Sequence, residues 1–149
     1  RRSAERVLQR RSRRGDSQRV DESVDAGRRA EAVSGGHSYP VGQAVITYAD
    51  AGRWPEARGE YARLLEIAAR KYVPCSMLAN AAAAMGELDR AIELAHQACD
   101  ERDGAQLILA RSFPTSRRLR SDPRFVDVIR RLRLPDLPLG GSMRSRGSR

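Results

Sequence analysis

The chain has little with which to do redox, metal or histidine chemistry. Its 149 residues include two cysteines, two histidines, one tryptophan and one lysine, and aromatic residues make up 5 % of the whole. Cys75 and Cys99 form no C-x-x-C, and no second thiol pair exists, so neither a structural zinc site nor a disulfide framework is supported. His37 and His96 are too few for a histidine acid/base pair or a His-rich metal site. Neither G-x-G-x-x-G nor a G-K-[ST] ending occurs, so there is no phosphate loop, and Gly35 and Gly36 read as linker. Scarce aromatics weigh against an all-β sandwich and favour helices. The longest small-apolar run, within Leu78 to Met85, is too short for a bilayer, and the Arg-rich N-terminus lacks the apolar stretch of a secretory signal. The expected setting is cytoplasmic, reducing and without a membrane partner. A chain beginning at Arg1 is expected to be a fragment or a processed piece.

Negative charge is short overall, and the net charge is +9. Arginine supplies all of the basic residues except Lys71, as the coding bias of a GC-rich genome would. Residues 1–34 carry +4, residues 35–110 carry −3 and residues 111–149 carry +8. The centre is therefore no basic platform, and affinity for a polyanion would belong to the two ends.

What the chain does have is an internal repeat. Ala51–Ala57 (AGRWPEA) and Met85–Ala91 (MGELDRA) superpose at a spacing of 34 residues, and so do Pro40 with Pro74, Val45 with Ala79, and Leu64 with Ala98. Each unit reads as two helices around a glycine. Pro40 and Pro74 open the first helices, where a missing N–H costs nothing. Gly52 and Gly86 fall where a left-handed residue ends a helix without a Cβ penalty. The second helices are amphipathic, with Ala57, Tyr61, Leu64, Leu65 and Ala68 on one stripe and Ala91, Leu94, Ala95 and Ala98 on the other. Glu56, Glu60 and Glu66 fall largely outside the stripe, where ion pairing with Arg63 and Arg70 in solvent explains them.

This pattern resembles the tetratricopeptide repeat family. The likeness rests on the 34-residue period, Val45 and Ala79, Tyr48, Tyr61, the turn residues Gly52 and Gly86, and the repeat-defining Ala57 and Ala91. It departs where the family's early tryptophan is Val41 or Cys75, and where Ala82 and Ala95 replace larger aromatics. The resemblance implies an all-α, right-handed solenoid of antiparallel helix pairs over residues 37–112. The stretch from YVP through SDPRF is similar to the tetratricopeptide tails of bacterial signalling and regulatory proteins. The family binds peptides on the surface built by its first helices. By register that surface holds Tyr39, Ile46, Asp50, Ser76 and Asn80. Ile46 stands where a second asparagine would help to clamp a peptide carboxylate, so recognition of a chaperone tail is not implied.

A C-terminal helical cap is expected over 113–135, with Asp122 as N-cap, Pro123 at the first position, and Phe125, Val128, Ile129 and Leu132 on one face. Residues 1–36 read either as an Arg-rich disordered segment or as a degenerate repeat turning at Gly15, and 136–149 as a flexible basic tail. Antiparallel helices would bring Cys75 and Cys99 near each other as a redox pair, but reduced thiols in ordinary buried positions are the favoured reading. His96 lies three residues before Cys99, the spacing of half a metal site or of plain surface packing. No spacing suggests a nucleophile, and no cofactor is implied. The expected role is therefore a non-catalytic protein–protein interaction or scaffolding module, whose partner is a protein, a peptide or a neighbouring domain. The alternative is a nucleic-acid-associated regulator binding through its Arg-rich ends, where Arg117, Arg118, Arg120, Arg124, Arg130, Arg131 and Arg133 cluster.

Overall fold

The computed structural model describes residues 2–33, 38–103 and 117–132, with side chains from Arg13 onward, and every regular element among them is an α-helix. The order is α1 (Arg2–Val33), α2 (Ser38–Asp50), α3 (Trp54–Arg70), α4 (Cys75–Ala84), α5 (Leu88–Asp100), α6 (Arg117–Ser121) and α7 (Pro123–Arg131). The linker at 34–37, residues 104–116 and the tail from 133 lie outside the described residues.

The two glycines do the same work in the same geometry. Gly52 and Gly86 adopt φ +71° and +82°. The next residues, Arg53 and Glu87, take φ, ψ of −86°, 68° and −82°, 68°. At the first turn Gly52 N donates to Ala49 O (3.0 Å) and Arg53 N to Tyr48 O (2.8 Å). At the second, Gly86 N donates to Ala83 O (3.1 Å) and Glu87 N to Ala82 O (2.9 Å). Both are the paired C-terminal cap that a left-handed glycine permits. α2 packs on α3, α4 on α5, and α2 on α4. Ala57 and Ala91, one residue type at one register, are both fully buried.

The core follows from residue size. Alanines 79, 81–84, 91, 95 and 98 are buried, and they let helices approach closely enough for Leu64, Tyr61, Val73 and Met77 to fill the space between them. α4 is apolar on nearly every face, and every residue of it but Leu78 is buried. Its N-terminus is capped from a distance. The Asp103 carboxylate, just past the end of α5, accepts from Ser76 N (3.2 Å) and Ser76 Oγ (2.8 Å), which satisfies an otherwise orphaned donor. Tyr61 Oη donates to Glu87 Oε2 at 2.8 Å and ties α3 to the α4–α5 turn.

α1 is continuous from Arg2 to Val33. It runs through Gly15 without a turn, because one interior glycine costs only about 1 kcal/mol and no left-handed residue or proline follows to redirect the chain. Val24 is buried against Ala44, Ile46, Tyr48 and Ala57, with Val20 packed beside it. Three ion pairs then join α1 to α3 at a constant offset of 32 residues: Asp21–Arg53, Arg28–Glu60 (2.9 Å) and Glu31–Arg63 (2.6 Å). A constant offset means the two helices run parallel. Glu60, expected on a solvated face, is buried beneath Arg28 because α1 covers that side of α3.

α7 begins as expected. Asp122 accepts from Arg124 N at 2.9 Å and Pro123 takes the first position. Phe125 and Val128 bury against α5, and Arg124–Asp89 (2.9 Å) and Arg131–Asp100 fasten the edges, so that α7 lies parallel to α5 as α3 lies parallel to α1.

Candidate functional site

The five residues assigned to a binding surface do not share one. Tyr39 is 44 % exposed and lines a small cleft between α1 and α2 with Val24, Gly27 and Pro40. Asp50 lies at the other end of α2, in a wider cleft of about 730 Å³ that it shares with Arg13, Val20 and Arg53. Ile46 is buried among Val24, Ala49 and Ala84. Ser76 and Asn80 are both inside α4's enclosed surface, Ser76 with its hydroxyl committed to Asp103. Register alone placed these three on an outer face, whereas the packing around α2 and α4 closes that face. Gly52 and Gly86 lie at the two turns, and Ala57 and Ala91 are fully buried.

The polar chemistry of the described residues is mostly structural. Arg53 stacks 4.9 Å over the Tyr48 ring while pairing with Asp21 and Glu56. His96 Nδ1 lies 3.0 Å from Arg131 Nη1, and Arg131 also reaches Asp100, so His96 belongs to the α5–α7 seam. No group of three or more His, Cys, Asp or Glu among the described residues could hold a metal ion. Cys75 and Cys99 are free thiols. Burial, then the neighbouring Glu101 and Asp103, pushes Cys75 up to about 11, so it stays protonated and is a poor nucleophile. Burial likewise raises Cys99.

Tyr61 is the most perturbed phenol. Burial, and after it the hydrogen bond to Glu87, pushes it up to about 12. An acid whose folded pKa is raised contributes stability that is whole below its unfolded pKa, about 10 for tyrosine, and is lost above it. Urea midpoints are therefore expected to fall as pH rises from about 10 towards 12, with Cys75 beginning the decline earlier. Tyr61→Phe should cost about 1 kcal/mol at pH 8 through the lost hydrogen bond, and its decline above pH 10 should be shallower. Parallel pH profiles for the two proteins would exclude Tyr61 as the titrating group.

One feature has no counterpart in the sequence reading. Trp54, 40 % exposed at the start of α3, faces a cleft of about 510 Å³ with Ala83, Ala84 and Met85 at the end of α4, Gly86, and Arg117 and Arg118 of α6. At the 34-residue spacing Trp54 pairs with Leu88, so it reads as one more apolar residue of the repeat. Its nearness to two arginines more than sixty residues later is a tertiary fact.

The described residues form helix hairpins with small buried residues between them and clefts at the surface. Compared with known protein families, curated proteins and solved structures, the chain matches none. Among the described residues, no helix is long and apolar enough to cross a membrane.

Proposed function

We propose that this chain is a tetratricopeptide-like solenoid segment that works as a non-catalytic protein–protein interaction or scaffolding module, as part of a larger bacterial signalling or regulatory protein. The observation that supports it most is the recurrence, 34 residues apart, of one hairpin turn with matched dihedral angles and hydrogen bonds. The parallel alignment of α1 with α3, held by ion pairs, and the parallel packing of α7 on α5 fit neighbouring second helices of such a stack.

The distribution of arginine bears on the nucleic-acid alternative. Arg28, Arg53, Arg63, Arg90, Arg124, Arg130 and Arg131 are engaged by carboxylates of this chain, and three of these belong to the arginine cluster that the alternative relies on. Phosphate neutralisation by free arginines is what a salt-sensitive polyanion site needs. The chain, immobilised and exposed to lysate of its source cell, should retain partners after nuclease treatment and at moderate salt. Loss of every partner on nuclease treatment would overturn the protein-binding reading in favour of nucleic acid.

A further inference from the structure

We propose that the cleft between Trp54, the end of α4 and the start of α6 binds an acidic peptide segment bearing an aromatic or large aliphatic side chain. This deepens the protein-binding reading above and rests on it. The floor, Ala83, Ala84 and Met85, is apolar, and the half-exposed indole forms one wall, so an apolar side chain entering it leaves water on both sides of the contact. Arg117 and Arg118 are exposed at the rim. The acidic groups around α6 and α7 serve other arginines, with Asp89 and Asp122 on Arg124, Asp127 on Arg130 and Asp100 on Arg131. Neither rim arginine has an ion-pair partner among the described residues. At the end of α4 the carbonyls of Ala81, Ala82 and Ala83 accept from Met85, Glu87 and Gly86 of the turn. Two adjacent guanidinium groups beside an apolar floor therefore call for carboxylates, which arginine holds by paired, charge-assisted hydrogen bonds.

The volume suits this occupant, lying within the roughly 300–1,000 Å³ of ordinary ligand pockets. Single-stranded nucleic acid fits less well. It needs successive aromatic platforms, a track of cations and polar groups at the base edges, whereas the described lining has one aromatic residue, two arginines and no amide or hydroxyl side chain.

Trp54 is the chain's sole tryptophan, so its emission reports the cleft directly. The intact chain would be titrated with four blocked decapeptides: acidic with a central Leu-Phe, acidic with a central Ser-Gly, glutamine-rich with Leu-Phe, and lysine-rich with Leu-Phe. A mixed-sequence single-stranded RNA completes the set. The acidic Leu-Phe peptide should shift the emission to the blue and saturate, with the other peptides weaker on the order of tenfold or more. Arg117→Glu with Arg118→Glu should weaken that binding by a similar factor with unchanged circular dichroism, while Arg13→Glu with Arg14→Glu on α1 leaves it unaltered. No emission change with the acidic Leu-Phe peptide, equal affinity for the glutamine-rich one, or saturation by RNA at lower concentration would each overturn the proposal. If a nuclease-resistant partner from lysate still binds the Arg117→Glu, Arg118→Glu chain, the cleft fails and the interaction module stands. If no such partner exists, the module reading itself fails.

Discussion

Replacing Phe125 by alanine is expected to remove about 3–5 kcal/mol of stability, the largest loss that a single truncation outside the helix hairpins should produce. The ring is 3 % exposed and shares one core with Val128, Leu119 and the α5 alanines at 91, 95 and 98. Those alanines cannot reach outward to close the gap. A truncated residue 125 therefore leaves a void lined by atoms with no partners, and the cost is the ring's transfer energy plus that of the cavity. Against a typical total of about 5–15 kcal/mol this is a large fraction, readable from urea denaturation. A second readout separates local release of α7 from global unfolding. Cys99 is half-buried with its sulfur 3.9 Å from Val128 O, whereas Cys75 is buried at the head of α4. In the Phe125→Ala protein Cys99 should react faster with a maleimide under native conditions and Cys75 should not. A loss below about 1 kcal/mol with unchanged Cys99 labelling would mean that α7 merely rests on the surface.

Local signals made much of the architecture legible. A glycine that must be left-handed, an alanine that must be small, and an aspartate followed by proline each act within one or two turns of their own backbone. Gly52 and Gly86 accordingly take left-handed dihedrals, Ala57 and Ala91 are fully buried, and Asp122 and Pro123 start α7. α1 was less legible because what holds it is not local. Its buried stripe is narrow, with Val24 as the buried residue and Val20 and Gly27 beside it, and Arg28 and Glu31 find their partners 32 residues away on α3. Nothing in the segment's own composition distinguishes such a helix from a solvated one.

Three of the candidate binding residues, Ile46, Ser76 and Asn80, are buried for a related reason. Register says which residues share a face, but not whether the face stays open. Ser76 is consumed by Asp103, which becomes a neighbour only when α5 folds back beside α4. Ile46 is drawn into the core that Val24 completes from α1. Conversely, Trp54 and Arg117 acquire a joint role only through the packing that sets α6 beside the α4–α5 turn.

Gly42 carries the other large effect, because α4's Met77 fills the space that a side chain there would need. A Cβ built there would stand 2.0 Å from Met77 Sδ and 2.7 Å from Met77 Cγ, in a core where Met77 is 3 % exposed. The residue 34 positions on, Ser76, is small and fully buried as well. Gly42→Leu should therefore cost about 3 kcal/mol or more, since four added carbons cannot be housed without parting the helices. Gly42→Ala sets two terms against each other. Helix propensity favours alanine by about 1 kcal/mol, while displacing a buried thioether costs about 1–3 kcal/mol, so a net loss of up to about 2 kcal/mol is expected. Met77→Ala is itself destabilising by about 2–5 kcal/mol, but it deletes the very atoms in conflict. In that background Gly42→Ala should change sign and stabilise by about 1 kcal/mol, which makes the coupling in the double-mutant cycle about 1–3 kcal/mol. An equal effect of Gly42→Ala with and without the Met77 side chain would show that the helices do not meet at this point, and the close packing of α2 on α4 would have to be abandoned.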